Sequence, residues 1–302
     1  MDMKKVHKRS KALVIRETVV SYIFLAPALF FFLGFVIVPM GMCLVTSFFN
    51  YTMTDFTFIG FDNYIRMFQD EVFLKALVNT FIIVGVSVPA VVIFSLWVGA
   101  SIYKMKAFTR SFYRCIFYLP VVTGTVAVTV VWKWMFNKYT GLFNHVLLGA
   151  GIIDERINWL GDERFALACI ILILFTTSIG QPIVLYIAAL GNVDTSLLEA
   201  AEVDGATKLQ TFWRITWPSI MPTTLYVLVI TMINSFQCYA LIQLLTSGGP
   251  NNATQTIMYY IYYQAFRLYD YGYGNAMGIF LAIIIAILSA IQFKVTNSGK
   301  VD

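Results

Sequence analysis

The sequence predicts an all-α membrane protein with six transmembrane helices. The chain has 302 residues, of which 59% are hydrophobic and 12% are charged. Soluble domains carry about 25% charged residues, so a chain this apolar needs lipid as its main solvent. Six largely uncharged runs are each long enough to cross a bilayer, which takes about 20 residues. We place the spans at 21–48, 77–103, 113–134, 165–191, 222–245 and 275–293.

The N-terminal segment 1–17 is a polar, basic tail with six Lys and Arg residues. The uncharged run 18–54 that follows is longer than the apolar core of a cleavable signal peptide, which has about 7–15 residues. We therefore expect an uncleaved first span. Pro27 and Pro39 would bend this helix, and such prolines are tolerated in a membrane where neighbouring helices satisfy the backbone groups that they free. Residues 18–302 then form one transmembrane domain.

Six spans place both termini on the same side of the membrane, and the distribution of Lys and Arg predicts which side. The segments on the terminus side hold 14 Lys and Arg residues, whereas the longer loops on the opposite side hold six. Basic residues concentrate in cytoplasmic loops. We therefore predict that both termini and the segment 194–217 are cytoplasmic, in a multi-pass membrane protein. The net charge of +5 follows from this topology and does not indicate a nucleic-acid partner.

The sequence carries no pattern of a catalytic or nucleotide-binding site. The phosphate-binding GxxxxGK[ST] loop, the zinc-binding HExxH helix and the GxSxG nucleophile motif are absent. The two histidines, His7 and His145, have no partner at metal-ligand spacing. We therefore predict that the chain is not an enzyme and holds no metal or cofactor. The span centres also lack ionisable residues, which disfavours an ion-coupled carrier but leaves sodium sites made of carbonyl groups open.

Uncharged polar residues in the spans are candidates for a substrate pathway. Thr231, Asn234 and Gln237 are three residues apart each time, so they lie close to one face of a helix. Together with Asn79 and Gln181 they offer hydroxyl and amide groups to an uncharged, hydroxyl-rich ligand. The alternative is that these groups join one helix to another, with about 1 kcal/mol per hydrogen bond.

The segment 194–217 differs from the other cytoplasmic segments because it has more acidic than basic residues. We predict a first helix that Thr195 or Ser196 caps and that Asp204–Gly205 ends, and Ser196 with Glu199 fits a capping box. A second short helix, 208–217, presents apolar side chains and leads into the fifth span. A pair of helices with apolar side chains on the cytoplasmic face fits a groove on a soluble partner.

The same segment resembles the EAA loop of bacterial ABC importer permeases, whose pattern is EAA-x3-G-x9-I-x-LP. The matching residues are Glu199, Ala200, Ala201, Gly205, Ile215 and Pro218, with Trp217 in place of the usual leucine. Further stretches resemble the carbohydrate subfamily, the maltose and glycerol-phosphate permease type. They are Asp204–Ala206 with Phe212, Leu245–Pro250 and Ile59–Tyr64.

The resemblance implies a type I ABC importer permease fold and a set of partners. In the family, the EAA loop forms a coupling helix that sits in a cleft of a cytoplasmic ATPase dimer, and ATP binding drives alternating access. ATP hydrolysis then resides on that partner subunit. The family also implies a second, related permease as heterodimer partner, an extracytoplasmic solute-binding protein and a carbohydrate substrate, with membrane lipid around the spans.

The resemblance also implies roles for individual residues. Those expected in ATPase coupling are Glu199, Ala200, Ala201, Asp204, Gly205, Phe212, Ile215 and Pro218. Those expected to contact the binding protein are Gly248, Gly249, Pro250 and Asn251. The alternative that the residues leave open is an ATPase-independent channel or ion-coupled carrier for a small polar solute.

Overall fold

The computed structural model describes the backbone of residues 11–297 and the side chains of residues 18–295, so the side chains of the predicted basic tail lie outside the described residues. The first half contains α1 (Lys11–Phe32), a π-helical turn (Leu33–Ile37), α2 (Val38–Thr46), β1 (Phe49–Tyr51), β2 (Phe56–Phe58), α3 (Asp62–Gln69), α4 (Glu71–Ile102), α5 (Ala107–Val122), α6 (Thr125–Met135) and α7 (Leu142–Gly149). The second half contains α8 (Glu163–Ser178), α9 (Gly180–Gly191), α10 (Thr195–Val203), α11 (Lys208–Thr211), a π-helical turn (Phe212–Thr216), α12 (Trp217–Phe236), α13 (Ala240–Leu245), α14 (Ile257–Tyr262), a π-helical turn (Tyr263–Arg267) and α15 (Tyr271–Asn297).

Apolar helical stretches long enough to cross a membrane number between four and six within residues 11–297. Four are single helices, at Thr18–Thr46, Glu71–Ile102, Lys208–Phe236 and Tyr271–Val295. The other two are pairs, α5 with α6 and α8 with α9, which bend by 95° and 42° at short breaks. The prediction of a helical membrane protein is confirmed at this level.

The predicted third span, 113–134, is wrong as a single helix. The chain turns by 95° between α5 and α6, because Thr123 and Gly124 adopt extended backbone angles. Pro120, in the last turn of α5, lacks an N–H group and weakens the helix just before this break. The first N–H groups of α6 therefore lie at this break, where no preceding helical turn accepts their hydrogen bonds.

The predicted fifth span, 222–245, also has different limits. α12 ends at Phe236, and residues 237–239 separate it from α13. At the other end the helix is continuous from Lys208. In the π-helical turn, the Trp217 N–H bonds the Phe212 carbonyl, and this wider turn lets the helix continue through Pro218 instead of ending there.

One short β-hairpin departs from the predicted all-α class. β1 and β2 pair in an antiparallel register with Asn50 opposite Thr57. The Asn63 side-chain amide donates to the carbonyls of Ser47 and Phe49, at 2.9 Å each, and holds the hairpin against α3. We call this end of the bundle the hairpin end and the end that carries α10 and α11 the coupling end.

α4 is the central helix of the bundle, and α8, α9 and α12 pack against it. Gly99 permits the approach of α9, because a Cβ there would lie 2.9 Å from the Cβ of Tyr186. The hydroxyls of Ser87 and Ser235 lie 3.0 Å apart and join α4 to α12. Since lipid is as apolar as most of these side chains, close packing and hydrogen bonds hold the helices together.

Asp70 connects three elements at the hairpin end. It caps α4 by accepting from the backbone N–H groups of Val72 and Phe73. Its other oxygen accepts from the hydroxyls of Tyr260 at 2.6 Å and Tyr273 at 2.8 Å. Burial acts to raise the pKa of this carboxyl, but the four hydrogen bonds outweigh burial and hold the pKa below its ordinary value.

The first span is the least covered part of the bundle. In its most apolar window, within Thr18–Thr46, none of the side chains is buried. Phe24 is 81% exposed and Phe35 is 73% exposed. α2 contacts α15, but most of the apolar surface of this long helix faces away from the rest of the chain.

Candidate transport cavity and coupling loop

Two adjoining cavities lie between α5, α8, α9 and α12. The first has a volume of about 140 Å³ and is lined by Thr177, Ser178, Gln181, Thr231 and Asn234, among others. The second, of about 270 Å³, lies between the break at Thr123 and Gly124 and the break after Phe236. Both helix breaks border the second cavity. Irregular backbone at membrane depth is tolerated where it lines a cavity, so the position of the breaks is consistent with a pathway there.

Four of the five predicted pathway residues come together in these cavities. Gln181 and Thr231 line the first cavity, Gln237 lines the second, and Asn234 lines both. Thr231 is buried, whereas the other three side chains are exposed. Among residues 18–295 the amides of Gln181, Asn234 and Gln237 make no side-chain hydrogen bond. Their donors and acceptors line the cavities, and no described side chain or carbonyl of residues 18–295 is bonded to them.

Asn79, the fifth predicted pathway residue, has a different position. It lines neither cavity, and its side chain is 7% exposed. Its amide nitrogen donates to the carbonyls of Asn252 and Gln255, at 3.0 Å each. Asn79 therefore fixes the loop before α14, and we remove it from the candidate pathway.

α10 and the turn after it follow from local sequence. Asp194 caps the helix by accepting from the Ser196 N–H at 2.9 Å, so the predicted capping box of Ser196 and Glu199 is wrong. The hydrogen bonds from Ser196 lower the pKa of the Asp194 carboxyl. At the other end the Ala206 N–H bonds the Ala201 carbonyl at 2.9 Å, and Gly205 has φ +72°. This is a Schellman motif, in which glycine takes the left-handed conformation at low energy.

The start of α11 contains a capping box that the sequence analysis did not identify. The Thr207 hydroxyl accepts from the Gln210 N–H, and the Gln210 side chain accepts from the Thr207 N–H at 2.8 Å. The signal is T-x-x-Q at positions 207–210, which is the same kind of pattern that predicted a cap for α10. The two caps and the Gly205 turn together fix the angle between α10 and α11.

The coupling end has an open groove and exposed apolar side chains. The groove, of about 630 Å³, lies between α10 and the start of the long helix, and five predicted coupling residues line it. These five are Ala200, Ala201, Asp204, Gly205 and Ile215. Val203 is 87% exposed and Leu209 is 68% exposed. Glu199 is exposed on α10, Phe212 contacts the Trp213 ring, and Pro218 lies in the first turn of α12.

The predicted contact loop at the hairpin end is tightly held. Lys75 donates to the Asn251 carbonyl at 2.6 Å, and the Asn251 amide donates to Glu163. Gly248 has φ +82°, and a Cβ there would collide with the Gln255 side chain. Of the four predicted residues, Asn251 is exposed, Gly249 and Pro250 are half-buried, and Gly248 is buried. These contacts hold the loop 248–251 in one conformation.

Comparison with known proteins gives the class of this chain. The family described as binding-protein-dependent transport system inner membrane component matches residues 68–293, and the chain belongs to this family. It is therefore a multi-pass permease of a bacterial inner membrane, a class in which ATP hydrolysis resides on a separate subunit.

Particular relatives are similar over almost the whole chain. The lactose transport system permease protein LacF of Rhizobium radiobacter is 32% identical and covers 93% of this chain and 95% of its own length. The diacetylchitobiose uptake system permease protein NgcF of Streptomyces coelicolor is 31% identical, over 92% of this chain and 83% of its own length. A crystal structure of a bacterial ABC transporter involved in the import of the acidic polysaccharide alginate aligns with a TM-score of 0.80 and 26% identity, over 95% of this chain and 98% of that one.

Proposed function

We propose that the chain is one of two permease subunits of an ATP-driven carbohydrate importer. The observation that carries this proposal is the pair of adjoining cavities that gathers Gln181, Thr231, Asn234 and Gln237 between two helix breaks. Amide and hydroxyl groups pair with both the donors and the acceptors of sugar hydroxyls. The relatives named above transport lactose, diacetylchitobiose or alginate, all of which are carbohydrates.

The proposed topology has six spans with both termini in the cytoplasm. It counts each bent helix pair as one span, and the charge distribution supports the orientation, with 14 Lys and Arg residues on the terminus side against six on the other. Residues 18–302 then form one transmembrane domain, with 194–217 as its cytoplasmic coupling loop. The coupling end faces the ATPase, and the hairpin end faces the binding protein.

The second permease subunit is proposed to cover the first span. That helix presents side chains such as Phe24 and Phe35 away from its own bundle. In a membrane, apolar exposure alone does not drive association, so lipid covers whatever part of this surface the partner leaves. A related but different subunit would complete the cavities, which are open on one side within this chain.

Coupling to the ATPase is proposed to act through α10 and the helix that follows Gly205. α10 with its exposed apolar neighbours would seat in a groove of the ATPase, as amphipathic helices do in other complexes. Because Lys208–Phe236 is one continuous helix, a displacement of the coupling loop reaches Asn234 through a single element. The residues proposed for this role are Glu199, Ala200, Ala201, Asp204, Gly205, Phe212, Ile215 and Pro218. The loop with Gly248, Gly249, Pro250 and Asn251 is proposed as the surface that receives the binding protein.

The test uses the complete transporter, purified with the ATPase and the binding protein encoded beside this chain and reconstituted in proteoliposomes. Sugar-stimulated ATP hydrolysis and sugar uptake are measured with lactose, diacetylchitobiose and acidic oligosaccharides. An importer hydrolyses ATP faster when binding protein and sugar are both present. Uptake that proceeds without the ATPase would instead favour the channel or the ion-coupled carrier.

Asn234→Leu examines the cavity itself. We expect a loss of about tenfold in uptake with the complex still assembled, because the variant removes an amide that lines both cavities. Gln292→Leu is the matched control, since Gln292 is a half-buried amide in α15 that lines neither cavity. If Asn234→Leu prevents assembly, or if both variants lose the same uptake, Asn234 joins helices and does not contact the sugar.

A further inference from the structure

A line of aromatic rings leads away from the second cavity. Tyr239 lines that cavity, and its ring centroid lies 4.8 Å from that of Tyr262 in α14. The Tyr262 ring in turn stacks on Phe266, with the two centroids 5.7 Å apart. Tyr239 and Tyr262 are half-buried, whereas Phe266 is 62% exposed. We call Tyr239, Tyr262 and Phe266 the aromatic series.

The helix formed by α14 and its π-helical turn runs from the second cavity to the hairpin end. At its start, the Thr256 hydroxyl donates to the carbonyl of Cys238, which lines the cavity, at 3.0 Å. Just after its end, Asp270 pairs with Arg66 of α3 at 2.7 Å. Residues 257–267 cover about 16 Å along a helix axis. The aromatic series therefore extends from the cavity toward the end that we propose receives the binding protein.

The two sides of this helix have different surroundings. On one side, the Tyr260 hydroxyl donates to Asp70, and the Gln264 amide donates to the Tyr260 oxygen. These bonds fix that side to the bundle. Tyr262 and Phe266 follow Tyr260 and Gln264 by two positions each, which places them on roughly the opposite side of the helix. The aromatic series thus lies on the side that faces away from these hydrogen bonds.

The aromatic series and the second cavity together offer the two kinds of contact that a sugar makes. A pyranose ring has an apolar face of C–H groups and an edge of hydroxyl groups. An aromatic ring buries the apolar face, and tyrosine hydroxyls and amides pair with the edge. Tyr239 lines the cavity beside Asn234 and Gln237, so ring and amide contacts meet at this point.

We infer that the aromatic series is a binding surface for the pyranose rings of the saccharide, which it contacts between the hairpin end and the second cavity. This inference rests on the proposed function and adds a route of entry to it. Tyrosine side chains also lie at the interfaces of a membrane with water, so the other possible occupant of this surface is lipid. The first experiment separates the two.

Cysteine labelling separates a water-filled pathway from a lipid-facing surface. Tyr262→Cys and Phe266→Cys are each treated with a charged methanethiosulfonate reagent outside the proteoliposomes during ATP-driven uptake. Because the thiolate is the reactive form and needs water to ionise, both should react at least about tenfold faster than Phe35→Cys in the first span. The wild-type chain gives the background reaction of its own cysteines. Reaction of Tyr262→Cys at the rate of Phe35→Cys would place the surface against lipid and overturn the inference.

Uptake measurements then test whether the rings hold the sugar. The sugar is whichever of lactose, diacetylchitobiose and acidic oligosaccharides the wild type takes up fastest. Tyr262→Leu and Phe266→Leu should each lower its uptake by about threefold to tenfold, the effect of one lost aromatic contact. Tyr262→Phe keeps the ring and should keep most of the uptake. Phe68→Leu is the matched control and should leave uptake unchanged, since Phe68 is 55% exposed at the hairpin end but packs on Phe280.

Failure of the inference and failure of the proposed function give different results. If the wild type takes up no sugar with ATP, the proposed importer fails and the inference fails with it. Wild-type uptake that is unchanged in both Tyr262→Leu and Phe266→Leu overturns the inference alone. Equal losses in Phe266→Leu and Phe68→Leu would assign both rings to packing, and a loss in Tyr262→Phe as large as in Tyr262→Leu would assign the effect to the hydroxyl. Either result overturns the aromatic binding surface.

Discussion

The two ends of this molecule are held in different ways. At the hairpin end, side-chain hydrogen bonds join residues far apart in sequence, such as Asp70 to Tyr273 across 203 positions and Arg66 to Asp270 across 204. At the coupling end, the side-chain hydrogen bonds of residues 194–211 join positions at most four apart. One end is fixed by connections between distant elements, and the other is built from locally specified helices.

Under the proposed coupling, this difference separates an end that stays fixed from an end that can be displaced. Long-range bonds at the hairpin end hold α3, α4, α14 and α15 in one arrangement, so motion there requires several bonds to break together. The coupling end keeps its own shape through its caps and the Gly205 turn but has few ties to the rest of the bundle. A segment of that kind can move as a unit with α12.

The largest expected effect is loss of coupling from Gly205→Pro. Proline requires φ near −65°, whereas Gly205 has φ +72°, so the angle between α10 and α11 cannot be kept. We expect sugar-stimulated ATP hydrolysis to fall by more than about tenfold, roughly the factor that corresponds to 1.4 kcal/mol, while the thermal unfolding of the permease changes little. Glu199→Lys tests the same surface without altering the backbone. Full coupled uptake in either variant would contradict the docking proposal.

Asp70→Ala should produce the opposite pattern, a loss of stability. The change removes the cap of α4 and leaves the Tyr260 and Tyr273 hydroxyls without their acceptor, for a total of about 2–4 kcal/mol. Thermal unfolding in detergent measures the loss. Asp62→Ala, an exposed acid in the first turn of α3, is the control and should change the midpoint by much less. Equal thermal unfolding midpoints for the two variants would show that Asp70 does not stabilise the hairpin end.

The lowered pKa of Asp70 predicts how the stabilisation by this carboxyl changes with pH. Because its folded-state pKa is lowered, its contribution is fully present above the ordinary aspartate pKa of about 3.9 and is lost as the pH falls through the lower folded-state value. The difference in unfolding midpoint between the wild type and Asp70→Asn should therefore be constant from pH 5 to 7 and shrink below about pH 4. If the difference in unfolding midpoint grew as the pH fell, ionised Asp70 would not be the stabilising form.

Gly180→Ala examines the contact that lies between the two ends. A Cβ at Gly180 would collide with the Phe117 carbonyl and the Val121 side chain on α5, so we expect a loss of about 1–3 kcal/mol from overpacking. Gly278→Ala is the matched control, since a Cβ there meets open space and alanine favours the helix. Stability that falls equally in both variants would mean that the α5–α9 contact is not tight.

The smallest expected effect is that of Lys75→Met. This change removes one hydrogen bond to the Asn251 carbonyl at an exposed position, so a loss of less than about 1 kcal/mol is expected in stability. Affinity for the binding protein should fall by about threefold at most, because the Glu163 contact still holds the loop. A much larger fall would assign Lys75 itself to the binding-protein surface.

Sequence was sufficient where the governing interactions are local. The lengths of the apolar runs predicted a helical membrane protein, and the glycine after Asp204 predicted the end of α10. The grouping of Thr231, Asn234 and Gln237 followed from helical spacing alone. Each of these rests on properties of residues within about one or two helical turns.

The remaining differences have both long-range and local causes. Nothing near Asn79 in the sequence indicates that its amide bonds carbonyls more than 170 positions away. The break at Thr123 and Gly124 lies inside an apolar run, where hydropathy alone predicts a continuous span.

The π-helical turn at Phe212–Thr216 sets the angle between the two faces of the long helix for which we propose functions. It holds one residue more per turn than an α-helix, and each residue of an α-helix turns the chain by about 100°. If the same residues formed regular α-helix with none deleted, the face that carries Asn234 would rotate by about 100° relative to the groove beside Gly205. The proposed docking surface and the cavity would both remain but would point in unrelated directions, so under the proposed coupling a displacement of one would no longer reach the other.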